Sequence, residues 1–270
     1  LTIGKKGVKG DNNSQDTFNG MADVAIAKNG DFFIADGEGP NTRVVKFDKD
    51  GKFIKWWGGK GKEPGQFDQP HSIAIDSKGL LYVGDRNNNR VQVFDQEGNF
   101  KEKFYQFGRP SGIYIDKNDI LYVADSYNHV IRTISPQGVV ATLAGVAGSA
   151  GSTDGANATA KFSYPSGVAV DAFGVYVADN GNHTIRRIFS GAVSTLAGTA
   201  GSSGQVDNTG AQARFRFPVG LAADGAGNVY VADSVNHAIR KVTTFGVVTT
   251  LAGSISGLTG STDEIGRAHV

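Results

Sequence analysis

Five histidines and 26 acidic residues stand beside 27 lysines and arginines in this 270-residue chain, and cysteine is absent. Without thiols there are no disulfides and no thiolate–metal sites, so any metal would fall to His, Asp and Glu. Three histidines share one context, Asn-His-x-Ile-Arg, at His129, His183 and His237. Residues that recur once per repeat are spread apart by the repeat, so these rings are expected to hold their own turns by hydrogen bonds and not to converge on an ion. Five aspartates, Asp36, Asp85, Asp125, Asp179 and Asp233, close the segments FFIAD, LYVGD, LYVAD, VYVAD and VYVAD. Their periodicity reads as turn caps accepting backbone N–H groups. Asp48-Lys49-Asp50-Gly51 lacks the further ligands and distal Glu of a calcium loop, and is expected to be a hairpin turn. No nucleophile elbow, phosphate-binding loop or His-Glu-x-x-His occurs.

The elements that would position such residues repeat. The five aspartates are 49, 40, 54 and 54 residues apart, long enough for four short strands and their turns. Before each lies a short apolar run, such as PHSIAIDSKG or PSGVAVDAFG; after each come an Asn turn, a third run such as NHTIRRI, and a fourth such as GAVSTLAG. These β-branched runs bounded by Gly, Asn and Pro predict four-stranded antiparallel meanders near 23–57, 72–104, 112–143, 167–196 and 219–251. The first two runs of each unit are apolar on both faces, so the sheets must stack on copies of themselves. Radial stacking in a β-propeller satisfies this, making the chain one all-β domain over 1–270 with no helix longer than about three turns. Tyr82, Tyr122, Tyr176 and Tyr230, with Phe33 in the first unit, are expected between blades. Of the adjacent Trp56 and Trp57, one should face inward and the other outward as a candidate contact.

Pro-Ser-Gly-Val-Ala-Val-Asp, Val-Tyr-Val-Ala-Asp and Asn-His-x-Ile-Arg resemble the NHL repeat over residues 21–253, with Asn41-Thr42 and Asn88-Asn89 replacing Asn-His in the first two copies. Residues 18–127, above all QFDQPHSIAIDSKGLLYVGDRNNNRVQVFDQEGNF, further resemble peptidyl-α-hydroxyglycine amidating lyase. That family is a six-bladed zinc propeller that releases glyoxylate, with three channel histidines on the metal and tyrosine and arginine nearby. The resemblance implies His71 as a zinc ligand and Arg86 as a catalytic arginine. The family's Asp-Gly-Tyr-x-Asn-Ser-Arg segment falls on Asp36–Arg43, making Arg43 a further candidate and placing Glu38 at or beside the tyrosine. At the positions matching His71 the other blades hold Asp23, Ser111, Ser166 and Val219. One imidazole is short of the three protein ligands a catalytic zinc takes.

Leu1–Gly4 parallels the end of a fourth strand, so five complete blades plus one N-terminal strand of a sixth are expected. Glu264–Val270, including His269, reads like the translated start of a sequencing-library adapter, implying a truncated bacterial environmental gene and a non-native tail. The start at Leu1 resembles a mature product, which favours a secreted or periplasmic protein. No apolar run approaches a membrane span. The formal net charge is +1, and neither half is basic, which argues against nucleic acid as a partner. The expected function is a noncatalytic scaffold binding a protein, peptide or glycan at the channel mouth or loop face without a cofactor. A zinc-dependent lyase is the alternative, and an RNA-binding propeller the third.

Overall fold

The computed structural model describes residues 2–5 and 7–253, and every regular element among them is a strand or a single 3-10 turn. Blade 1 is β1 (Met21–Ile26), β2 (Phe32–Asp36), β3 (Arg43–Phe47) and β4 (Phe53–Gly58). Blade 2 is β5 (Pro70–Ile75), β6 (Leu81–Asp85), β7 (Arg90–Phe94) and β8 (Phe100–Phe104), and blade 3 is β9 (Pro110–Ile115), β10 (Leu121–Asp125), β11 (Val130–Ile134) and β12 (Val140–Ala144). After a two-residue strand, β13 (Gly155–Ala156), blade 4 is β14 (Pro165–Asp171), β15 (Gly174–Asp179), β16 (Thr184–Phe189) and β17 (Ala192–Ala197). Blade 5 is β18 (Pro218–Ala223), β19 (Val229–Asp233), β20 (Ala238–Val242) and β21 (Val248–Gly253). Each blade runs in sequence order, β13 adding a fifth strand beside β17.

The expected sixth blade is not present among the described residues: they form the five complete blades, and Thr2–Gly4 form no strand. Ile3 instead packs on the apolar cluster of Phe18, Phe32, Ile34, Val45 and Phe47, burying its side chain without needing a ladder partner. The tail at 264–270, with His269, lies outside the described residues.

Contact density divides the chain into two units, Leu1–Leu121 and Tyr122–Val270. In the first, β1 packs beside β5 and β5 beside β9, so the first strands of successive blades are neighbours. The core there is Phe33, Ala35, Val44, Phe67, Ile73, Leu81, Val83 and Phe94, with Trp57 against it; Trp56 packs on the cluster beneath Ile3. The two tryptophans thus face opposite sides of the sheet as period-2 geometry requires, but both are half-buried and neither is a free contact. In the second unit β14 packs beside β18, and Tyr176 is fully buried among Phe215, Val229, Val231 and Val242. Phe33 and Tyr176 fill interblade core as expected, whereas Tyr82 and Tyr230 are only half-buried.

The blade-closing aspartates do more than cap turns. One carboxylate oxygen accepts a backbone N–H from 16 or 17 residues upstream, in the connector before the first strand: Asn19 to Asp36 at 3.1 Å, Asp68 to Asp85 at 2.7 Å, Ser163 to Asp179 at 2.7 Å and Arg216 to Asp233 at 2.7 Å. The other oxygen holds an arginine of the third strand, Arg43, Arg90, Arg132, Arg186 or Arg240, at 2.7–3.0 Å. A carboxylate carried into the core needs a cation as well as donors, which a local turn cannot supply. In blades 2–5 the turn after the second strand is a 3-10 turn ending in a left-handed residue, Asn89, His129, His183 or His237. The rings of His129 and His183 do not hold their own turns. Their Nδ1 atoms accept the N–H of Tyr164 (3.2 Å) and Phe217 (3.3 Å), at the entrance to the next blade.

Candidate functional site

The first strands begin with a bulge, and that bulge positions His71. In blade 2, Pro70 pairs with Asp85 and Ser72 with Gly84, leaving His71 as the extra residue. A bulge bends the strand locally and re-aims the unpaired side chain, a device common beside functional sites. Ser166 occupies the same place in blade 4. In blade 1 the extra residue is Ala22, because Met21 pairs with Asp36 and Asp23 with Ala35. Asp23 therefore matches Ser72 rather than His71, a one-residue correction that only the register reveals.

Glu38 reaches His71 because the loop after β2 lies against β5. The N–H groups of Gly37 and Glu38 both donate to the Gly20 carbonyl, at 3.0 and 2.7 Å. A Cβ on Gly37 would sit 2.3 Å from the Pro70 oxygen, so only glycine permits this approach. His71 Nε2 then lies 3.0 Å from Glu38 Oε1, and Arg86 Nη2 lies 3.1 Å from the same oxygen. Arg86, in the 3-10 turn Arg86–Asn88 after β6, is steadied by its Nε donating to Gln69 Oε1 at 3.1 Å and its backbone N–H donating to Gln69 O at 3.0 Å. Glu38 is held below the usual carboxylate range by the hydrogen bond from His71, with burial opposing and the charges of His71, Arg86 and Arg109 assisting.

His71 and Arg86 are thus brought together, and Glu38 joins them. Arg43 is not with them: its guanidinium is wholly buried on Asp36 and the Asn12, Ser14 and Thr17 carbonyls, tying the N-terminal loop to blade 1. Arg109 was missed by sequence reasoning. Its signal is positional: like Gln69 it precedes the proline that opens a first strand, and both adopt positive φ, 76° and 70°.

The zinc implied by the lyase resemblance does not fit these groups. His71 Nε2 is engaged by Glu38, its Nδ1 is buried without a hydrogen-bond partner, and Arg86 places a cation on the same carboxylate. Both Asp23 oxygens accept backbone N–H groups, from Val24 at 2.8 Å and Ile73 at 2.9 Å, stapling β1 to β5. Burial raises the Asp23 pKa above the ordinary carboxylate range. Among the described residues no three His, Asp or Glu side chains gather as a metal site. What the cluster offers instead is hydrogen bonding: a half-exposed carboxylate between an imidazole and arginines.

The NHL repeat family model matches residues 67–94, 107–132, 162–188 and 215–242, the second to fifth blades from the connector before each first strand to the third strand. The chain carries four NHL repeats. It resembles human NHL repeat-containing protein 3, 36% identical over 96 residues, covering 35% of this chain and 28% of that protein. It also resembles a probable peptidyl-alpha-hydroxyglycine alpha-amidating lyase of Caenorhabditis elegans, 38% identical over 97 residues, covering 35% of this chain and 27% of that one. The chain therefore aligns with little more than a quarter of either relative's length. Among solved structures, an auxiliary nutrient binding protein from Bacteroides ovatus superposes with a TM-score of 0.67 at 23% identity, covering 85% of this chain and 59% of that one. Virginiamycin B lyase from Staphylococcus aureus gives 0.63 at 18%, covering 88% and 70%. At these identities the likeness concerns the fold alone. No helix among the described residues is long and apolar enough to cross a membrane.

Proposed function

We propose that this NHL-repeat protein is a noncatalytic binding scaffold that takes a peptide or glycan on the loop face of its first unit, at Glu38, His71 and Arg86. The observation that carries the reading is the Glu38 carboxylate shared by His71 and Arg86 at 3.0 and 3.1 Å, which occupies the imidazole nitrogen a zinc lyase would use and leaves a preformed, half-exposed set of hydrogen-bonding groups. Peptide and glycan arrays probed with the purified chain and with Arg86→Ala test it. A ligand class bound by the parent and lost in the variant is the expected result.

The zinc-dependent lyase is the second reading, favoured by the similarity to the amidating lyase and by the proximity of His71 and Arg86. Glyoxylate release from a hydroxyglycine-extended peptide in the presence of zinc, abolished by His71→Ala, would establish it in place of the scaffold.

A further inference from the structure

The strand that carries His71 near its start ends at Ile75, on the order of 13 Å away at the ordinary rise per residue. At that far end the first unit holds a cavity of about 580 Å³, within the size range of small-molecule sites. Its apolar lining comes from the last residues of the three first strands, Ile26, Ile75 and Ile115, the first of them 65% exposed. Its polar rim is the three turns that follow, which bring Lys28, Lys78 and Lys117 together with Asp76, Asp116 and Asp119.

The two charge types are not equally available. Asp76 accepts the N–H groups of Lys78 and Leu80 at 2.9 and 2.8 Å, and Asp116 those of Asn118 and Ile120, both at 2.9 Å. Asp119 takes the N–H and hydroxyl of Ser77 at 2.8 and 2.6 Å. One oxygen of Asp76 and one of Asp116 is thus taken up by its own turn, and both oxygens of Asp119 by the neighbouring one. The ammonium of Lys28 donates only to the Ser77 carbonyl, at 2.9 Å, and neither Lys78 nor Lys117 forms an ion pair among the described residues. The turns are also tied to one another: Lys28 to Ser77 joins blade 1 to blade 2, and Ser77 to Asp119 joins blade 2 to blade 3. Asp119 accepts a left-handed φ of 58° where the equivalent residues are Gly30 and Gly79. A carboxylate held in that conformation to cap a neighbouring turn keeps the rim open in one shape.

We infer that this cavity is a binding site for a small amphipathic carboxylate, its aliphatic body on Ile26, Ile75 and Ile115 and its anion among Lys28, Lys78 and Lys117. Apolar lining alone would take any hydrocarbon; three ammonium groups without an ion pair among the described residues, beside carboxylates that cap turns, select an anionic head.

Isothermal titration of the full chain with octanoate, 1-octanol and acetate tests this. Octanoate is expected to bind, with 1-octanol and acetate each at least about tenfold weaker, and Lys78→Ala/Lys117→Ala to weaken octanoate about tenfold, since exposed ion pairs are individually small. Both lysines are exposed, so that variant should fold, and an unchanged melting temperature verifies it. Arg86→Ala, at the other end of β5, should leave octanoate binding intact, which separates this site from the loop-face scaffold. Equal binding of 1-octanol, equal binding of acetate, indifference to the lysine pair, or no binding of octanoate would each overturn the inference.

Discussion

His129 Nδ1 accepts the backbone N–H of Tyr164, 35 residues further along the chain, at 3.2 Å, while its ring meets the Tyr164 ring edge-on at 4.6 Å. His183 and Phe217 repeat the arrangement at 3.3 and 4.5 Å. Tyr164 and Phe217 precede prolines and carry positive φ, 49° and 53°, a costly conformation that the imidazole bond helps secure.

Accepting that bond requires a neutral imidazole, and burial lowers the pKa of both histidines below 6.5. A depressed folded-state pKa means stability present above pH 6.5 and lost as pH falls through the folded value. Melting temperature is therefore expected to fall between about pH 7.5 and pH 5, and less so in His129→Gln/His183→Gln. Parallel curves for parent and variant would remove the histidines as the cause.

Asp179 and Arg186 are both wholly buried and paired at 2.8 Å, with Asp154 of the preceding connector on the far side of the guanidinium at 2.5 Å. Asp179→Asn leaves Arg186 with one carboxylate instead of two, and should cost about 3 kcal/mol in denaturant unfolding. Asp154→Asn removes the half-exposed partner and should cost markedly less, with loss of protection from proteolysis confined to the connector. Equal effects would contradict this ranking.

A Cβ added at Gly167 would meet the Val219 carbonyl oxygen at 2.1 Å, where β14 passes β18. Backbone cannot yield as a flexible side chain does, so Gly167→Ala is expected to destabilise by at least about 2 kcal/mol. Gly191, whose added Cβ meets nothing but whose φ is 79°, should lose about 1 kcal/mol on substitution by Ala. Chemical denaturation of the two variants compares crowding with backbone strain.

Zinc added to the metal-free chain is expected to leave the melting temperature unchanged, because a ligand bound to the folded state would raise it. A rise of several degrees at micromolar zinc, lost in His71→Ala, would mean that Glu38 leaves Nε2 to admit the metal.

How much of this was legible beforehand differs by kind of feature. Five four-stranded blades follow from period-2 apolar runs and Gly, Asn and Pro turns, which are local properties of the chain. The sixth-blade strand expected at Leu1–Gly4 is not seen in the described Thr2–Gly4, since similarity to a strand end says nothing about whether a ladder partner is present. In the candidate site, His71 and Arg86 came from family resemblance and do meet, but Arg43 belongs to a buried ion pair, and Arg109 carried only a positional clue.

By itself the sequence determined the repeat, the blade count of the described residues, the turn chemistry and the family, because each rests on neighbours a few positions apart. Only the tertiary structure decided where the charges go. That Asp36 meets both a backbone N–H and Arg43 depends on strands and connectors distant in the chain, and that His71 faces Glu38 depends on a bulge register and on the loop after β2, whose Gly37 closes against Pro70. Hydrogen-bonded ions discriminate at tenths of an ångström, and that precision comes from packing between strands distant in the chain, not from the spacing of residues along it.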